Sequence, residues 1–253
     1  MSLCTPFRSF LSFACLAAVL LPGVCSTAGA GETRVELELV LSADASSSIR
    51  GNEFDLQVRG YADAFRDPVI IDAIADLGGN GIAIMFVQWS ASFQQTEVVK
   101  WTHIRDRADS MAFADAIESQ ARRFTAFATA TGSAMMHAAD AIDRNEYSAA
   151  RRVIDVSSDD RSNHGRHPAS ARDDIVARGM TINGLAVLDD SEDLIGYFKS
   201  HVIGGPDAFV VAVESFEDFA EAIKLKLARE ISSDPLAQLP DSGRTTVFLA
   251  AAD

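Results

Sequence analysis

The segment Val35 to Leu41 has the length and composition of a buried strand. It runs into Asp44-Ala45-Ser46-Ser47-Ser48 just before a helical pattern begins. Asp44, Ser46 and Ser48 alternate along the turn, so one carboxylate and two hydroxyls can converge from a single loop. Donors of this kind suit a hard divalent cation of the magnesium class, which takes oxygen ligands in an octahedron and keeps several waters. Serine oxygens are neutral, so such an ion stays electron-poor and retains affinity for an acidic group from outside. That chemistry favours binding over catalysis. Asp and Ser before a helix are also ordinary caps, and the motif alone leaves both readings open.

The rest of the chain alternates short apolar runs with helical patterns. Asn52 to Arg66 reads as a helix with Phe54, Val58, Tyr61 and Phe65 on one stripe. Pro68 stops or restarts it, and Val69 to Leu77 is a second helical piece. Ile82 to Val87 has the continuous apolar character of a strand covered on both faces. Phe93 to Trp101 reads as its antiparallel hairpin partner through Ser90-Ala91-Ser92. Further helices are expected at Asp106 to Arg122, Gly132 to Asn145, Pro168 to Arg178 and Asp189 to His201. Strands are expected at Arg151 to Val156, Met180 to Val187 and Ala208 to Val213. Phe216, Phe219, Ala220, Ile223 and Leu227 mark a last amphipathic helix. This alternation predicts an α/β layered domain with a mostly parallel central sheet and one antiparallel edge strand. Ligands of such sheets bind at the carboxyl ends of the strands, where the Asp44 loop leaves.

The first 30 residues are read as a secretory signal peptide. Arg8 precedes an apolar stretch from Phe10 to Val24, and Ala28-x-Ala30 supplies a cleavage site after Ala30. All three cysteines (Cys4, Cys15, Cys25) fall within it, so an exported chain without thiols is expected to hold together through its core. Without the leader, 21 basic residues stand against 36 acidic ones, a net charge of −15. Such a surface repels nucleic acid and anionic membrane and suits a protein that handles cations. A domain over residues 31–232 is expected, followed by a tail, 233–253, that is loop-like or an edge strand. No stretch is long enough to span a membrane.

Two more loops reach the same end of the sheet. One holds Thr129-Ala130-Thr131-Gly132-Ser133-Ala134-Met135 just before a helix, and the other reads Ser157-Ser158-Asp159-Asp160 after a strand. Asp-x-Ser-x-Ser on the first loop, Thr on the second and Asp on the third resemble the metal-ion-dependent adhesion site (MIDAS) of the von Willebrand factor A domain family. The resemblance covers roughly residues 34 to 230. The stretches Phe86-Val87-Gln88-Trp89-Ser90 and Arg152-Val153-Ile154-Asp155-Val156-Ser157 resemble a group of uncharacterised, secreted bacterial members of that family. It implies a three-layer, doubly wound, Rossmann-like fold with helices on both faces. It also implies Asp44, Ser46, Ser48, Thr129 and Asp159 as ligands of a divalent cation, Mg²⁺ first, with Mn²⁺ and Ca²⁺ as alternatives. The partner it implies is a protein presenting Asp or Glu, bound by a periplasmic or secreted protein. The last helix, around Ile223 to Leu227, would move with ligand binding. Two departures from the family pattern stand out. Asp160 replaces the glycine common after the third-loop Asp, and Phe127-Ala128 replaces a glycine pair before the threonine.

Other chemistries find less support. Asp159, Asp160, His164 and His167 suggest a metal cluster, but without helical histidine spacing they read as a solvated turn. A serine hydrolase lacks a Gly-x-Ser-x-Gly elbow, and no phosphate-cradling glycine loop precedes a lysine. A hydrolase using the cation as Lewis acid lacks an evident general base. A metal-free structural subunit is the remaining alternative. Trp89 and Trp101 read as core or hairpin packing.

Overall fold

Five parallel strands form the middle of the sheet, and an antiparallel strand closes each edge. The computed structural model describes Met1 and residues 32–124, 128–188, 193–232 and 245–249, the last as backbone. The expected leader after Met1, residues 125–127 with the Phe127 of the second loop, residues 189–192 and most of the tail lie outside the described residues. Glu32–Asp253 forms one compact unit.

In chain order the strands are β1 (Thr33–Arg34), β2 (Leu37–Asp44), β3 (Ile82–Trp89), β4 (Gln95–Ile104), β5 (Tyr147–Ser148), β6 (Arg151–Ser158), β7 (Thr181–Val187), β8 (Phe209–Val213) and β9 (Thr245–Leu249). The helices are α1 (Gly51–Arg66), α2 (Pro68–Asp76), α3 (Arg107–Glu118), α4 (Thr131–Ile142), α5 (Pro168–Ala177), α6 (Leu194–Tyr197) and α7 (Phe219–Ile231). A π-helical turn, Phe198–Val202, continues α6. The main sheet runs β4-β3-β2-β6-β7-β8-β9, and β1 and β5 form a separate parallel pair. β4 is the expected antiparallel edge. β9 adds a second one at the opposite side, from the tail segment read as loop or edge strand.

Strand periodicity explains the three layers. Leu37, Leu39 and Leu41 of β2 face one core with α1, α2, α3 and α7, while Val40 faces a second core with α4, α5 and α6. The stripe Phe54, Val58, Tyr61 and Phe65 is buried in the first core, and Trp89 lies fully buried in the second. Pro68 restarts the helix: Asp67 caps α2 by accepting from the Val69 amide at 2.9 Å, and proline occupies the first turn, where no amide donor is needed. β4 begins two residues later than the sequence pattern suggests. Phe93 therefore sits in the turn, held by Gln94 N–H donating to Ala91 O at 2.8 Å.

One buried cluster contradicts simple amphipathicity. Lys226 of α7 is fully buried, with Nζ 2.6 Å from Asp155 Oδ1 of β6 and donating to Glu230 Oε1 one turn along α7. Asn183 of β7 donates to the same Glu230 oxygen at 2.8 Å. The last helix is thus joined to the central strand by charge as well as by its apolar face. Among the described residues no helix is long and apolar enough to cross a membrane.

Candidate functional site

The loops after β2 and β6 leave neighbouring parallel strands, with Ala43 opposite Ser157 in register, so they emerge side by side at the carboxyl end of the sheet. The loop before α4 reaches the same place through β3: Ala130 N–H donates to Ser90 O at 2.9 Å, just past the end of that strand. Gly132 permits the last approach, since a Cβ there would stand 2.2 Å from the Arg166 carbonyl oxygen.

Asp44, Ser46, Ser48, Thr129 and Asp159 are all brought together. Asp44 Oδ1 accepts from the Ser46 amide at 2.7 Å, and the Ser46 and Ser48 hydroxyls are 3.1 Å apart. Ser48 Oγ donates to Asp159 Oδ1 at 2.9 Å, and Thr129 Oγ1 donates to Ser46 Oγ at 3.3 Å. Asp44, Ser46 and Thr129 are buried, and Ser48 is exposed, so the group opens to solvent on one side. The motif is more than a helix cap, because none of its hydroxyls caps α1; there Arg50 N–H donates to Glu53 Oε2 at 2.7 Å.

Burial raises the Asp44 carboxyl to about 6; hydrogen bonds from Ser158 and Ser46 pull it down and the charge of Asp160 adds to the rise. Asp159 is raised to about 7, first by burial and then by the charge of Asp44, with the Ser48 hydrogen bond opposing. Among the described residues no basic side chain is paired with either carboxyl. The donor set of two buried carboxyls and three hydroxyls, lacking a cation of its own, therefore fits a hard divalent ion. Among the described residues no group of three or more His, Cys, Asp or Glu is placed to hold a metal ion.

Sequence reasoning missed the residues that hold this group in place. Ser158 Oγ donates to Asp44 Oδ2 at 2.6 Å, and Gln57 of α1 donates to the Asp44 carbonyl at 3.0 Å. Arg122 donates to the carbonyls of Ala45 (2.9 Å), Ile49 (2.7 Å) and Ser46, and so clamps the first loop. Asn163 accepts from the Thr129 amide and donates its own to the Thr129 carbonyl, each at 2.9 Å. These contacts lie 13 to 114 residues apart in sequence, and no local pattern signals them. Asp160 needs no left-handed backbone: among the described non-glycine residues only Asp193 and Asp207 have positive φ. Its carboxylate accepts from the Arg161 amide at 2.6 Å.

The sequence profile described as Protein of unknown function (DUF1194) matches residues 34–235. No curated protein matches in sequence. Solved structures with the same fold include proximal thread matrix protein 1 from the mussel byssus, with a zinc-occupied MIDAS motif. It is 17% identical, with a TM-score of 0.56, over 78% of this chain and 48% of that one. The pilus adhesin SpaC from Lactobacillus rhamnosus GG is 14% identical, with a TM-score of 0.54, over 79% and 31%. A von Willebrand factor type A protein from Catenulispora acidiphila is 16% identical, with a TM-score of 0.53, over 78% and 43%. The chain thus spans about half or less of the length of these structures. Its fold is that of the von Willebrand factor A domain.

Proposed function

The chain belongs to the DUF1194 family of proteins of unknown function, and from that premise we propose that it is an exported binding protein whose divalent cation engages an acidic side chain of a protein partner. The observation that carries this reading is the convergence of two buried carboxyls and three hydroxyls, without a basic partner, at the open carboxyl end of the sheet. Asp44, Ser46, Ser48, Thr129 and Asp159 would hold the ion, directly or through water, with Mg²⁺ as the expected species. The bound ion would supply a Lewis-acidic position for a carboxylate. Ser158, Arg122 and Asn163 hold the three loops in register. The zinc-occupied motif of the mussel protein and the adhesin fold of SpaC support the same direction. Export rests on the leader-like first 30 residues.

Thermal unfolding in chelator, then in Mg²⁺, Mn²⁺ and Ca²⁺, tests this beside Asp44→Ala. A ligand that binds only the folded state raises stability by mass action, about 2.7 kcal/mol at a hundred times its Kd. The expected result is stabilisation of the wild type by at least one ion and none in the variant. No effect of any ion at millimolar concentration would favour a metal-free structural role.

A further inference from the structure

Among the described residues one large aromatic side chain is left exposed, and it lies in the turn that joins the site loops. Phe93 is 79% exposed; apart from Met1, the other large apolar side chain left exposed among the described residues is Val69 of α2. The turn that carries Phe93 is tied to the site loops on both sides of Thr129. Ser90 O accepts from the Ala130 amide, and Ser90 Oγ donates to the Ala128 carbonyl, each at 2.9 Å. The Ser92 amide donates to His164 Nδ1 at 3.2 Å, and the His164 ring stands edge-on to Phe93 with centroids 6.4 Å apart. Gly165, at φ +73°, lets the third loop sit against Ser92 and Ser133 where a Cβ would collide with both. Phe93 is therefore presented at a fixed position relative to Thr129 and to the loop that carries Asp159.

Arginine is concentrated in the segments around the site, although the chain as a whole is acidic. The sequence as a whole carries a net charge of −14. The segments 44–50, 119–130 and 159–167 contain Arg50, Arg122, Arg123, Arg161 and Arg166 against Asp44, Asp159 and Asp160; Arg50 pairs with Glu53 and Arg166 with Asp174. Arg161 lies over the Tyr197 ring at 5.6 Å, and the Arg50 side chain is 68% exposed. A local excess of arginine on an acidic chain suits an acidic partner at this end of the domain.

Resting on the cation-binding reading above, we propose that Phe93 is the specificity-determining apolar contact of the docking face. The partner is an acidic protein segment in which the ion-seeking Asp or Glu has an aromatic or large aliphatic side chain within a few residues, and that side chain covers Phe93. Cation and carboxylate anchor the segment, and the apolar pair selects it. Covering an exposed phenylalanine is worth roughly ten- to a hundredfold in affinity.

The test is selection of a random peptide library displayed on phage against the full chain in Mg²⁺, against Phe93→Ser in Mg²⁺, and against the wild type in chelator. Wild type in Mg²⁺ is expected to enrich Asp or Glu together with a nearby aromatic or large aliphatic residue. Phe93→Ser is expected to keep the acidic requirement and lose the apolar one. The best wild-type peptide should bind the variant about ten- to a hundredfold more weakly, while Mg²⁺ raises the Tm of both proteins equally. If both proteins select the same peptides with equal affinity, Phe93 is not the contact and the proposal is wrong, with the cation reading intact. If no Mg²⁺-dependent acidic preference emerges for the wild type, the cation reading itself fails and takes this proposal with it.

Discussion

Among the buried carboxyls of the described residues, two pairs are treated differently. Asp155 and Glu230 lie between the sheet and α7 with Lys226 between them, its Nζ 2.6 Å from Asp155 Oδ1. Asp44 and Asp159 lie at the end of the sheet with only hydroxyls and backbone amides for partners. Desolvating a carboxylate is costly, and an ammonium from the same chain offsets that cost inside the core. At the sheet end no such group is supplied, and the hydroxyls solvate the carboxyls only in part. The first pair is closed on itself. The second is left with negative charge that an ion from solution can answer.

The largest test of this contrast is removal of Lys226. Lys226→Met is expected to cost about 3–5 kcal/mol in urea unfolding, because it leaves Asp155 and Glu230 buried without a cation. Combining it with Asp155→Val and Glu230→Gln should recover most of that loss. A cost below about 1 kcal/mol for the single variant would mean that the ammonium does not compensate the pair. A slide of α7 along its axis must also draw Lys226 away from Asp155, so any ligand-linked movement of this helix works against an ionic joint.

At the sheet end the expected behaviour is reversed. In chelator, Asp159→Asn should cost little or stabilise, since it removes a charge that nothing offsets. In saturating Mg²⁺ the same variant should lose the stabilisation of roughly 2–3 kcal/mol expected for the wild type. Equal losses in both buffers would make the group an ordinary polar cluster.

The pH dependence separates the two pairs further. Asp44 at about 6, Asp159 at about 7 and Asp155 at about 7 all lie above the ordinary aspartate value of 3.8. For Asp155 the rise comes first from burial and then from the charge of Glu230, against the pull of Lys226. A carboxyl raised in the folded state contributes stability that is complete below its unfolded pKa and is lost as pH rises through the folded value. In chelator, Tm should therefore fall from about pH 4, near the unfolded value, to about pH 7, near the folded ones. Saturating Mg²⁺ should recover the share of Asp44 and Asp159, which must be ionised to hold it, and leave the share of Asp155 in place. Parallel Tm curves with and without Mg²⁺ would erase the distinction between the pairs.

The smallest expected effect concerns the clamp on the first loop. Arg122→Ala frees the carbonyls of Ala45, Ser46 and Ile49 and should weaken ion affinity about tenfold, in the range for residues that orient metal ligands. Titration calorimetry with Mg²⁺ reads it directly, and unchanged affinity would show that the loop keeps its shape unaided.

The α/β layering was readable because strand and helix periodicities differ, as in the alternation of Leu37, Leu39 and Leu41 against Val40. The five candidate ligands were readable because they fall on turns directly after strands or before helices. Ser158 lay in plain view beside Asp159, but nothing in its neighbourhood says that its hydroxyl turns to Asp44. Lys226 was hidden for a different reason. A lysine on an amphipathic helix belongs to the solvated face by default, and only an acidic partner on a facing strand reverses that. Phe93 reads as strand from its composition, yet the hairpin turn takes it out of the sheet.

Sequence by itself determined the main strands and helices of the α/β alternation and the kinds of donor at the end of the sheet, because these depend on periodicity and on local turn chemistry. The β1–β5 pair came only from the fold, which also decided between loop and edge strand for β9. Only the tertiary structure decided which carboxyls share a cation from the chain and which do not. Burial and charge pairing depend on distances between segments far apart in sequence, such as Asp155 and Lys226 or Asp44 and Ser158, and those distances exist only once the layers have packed.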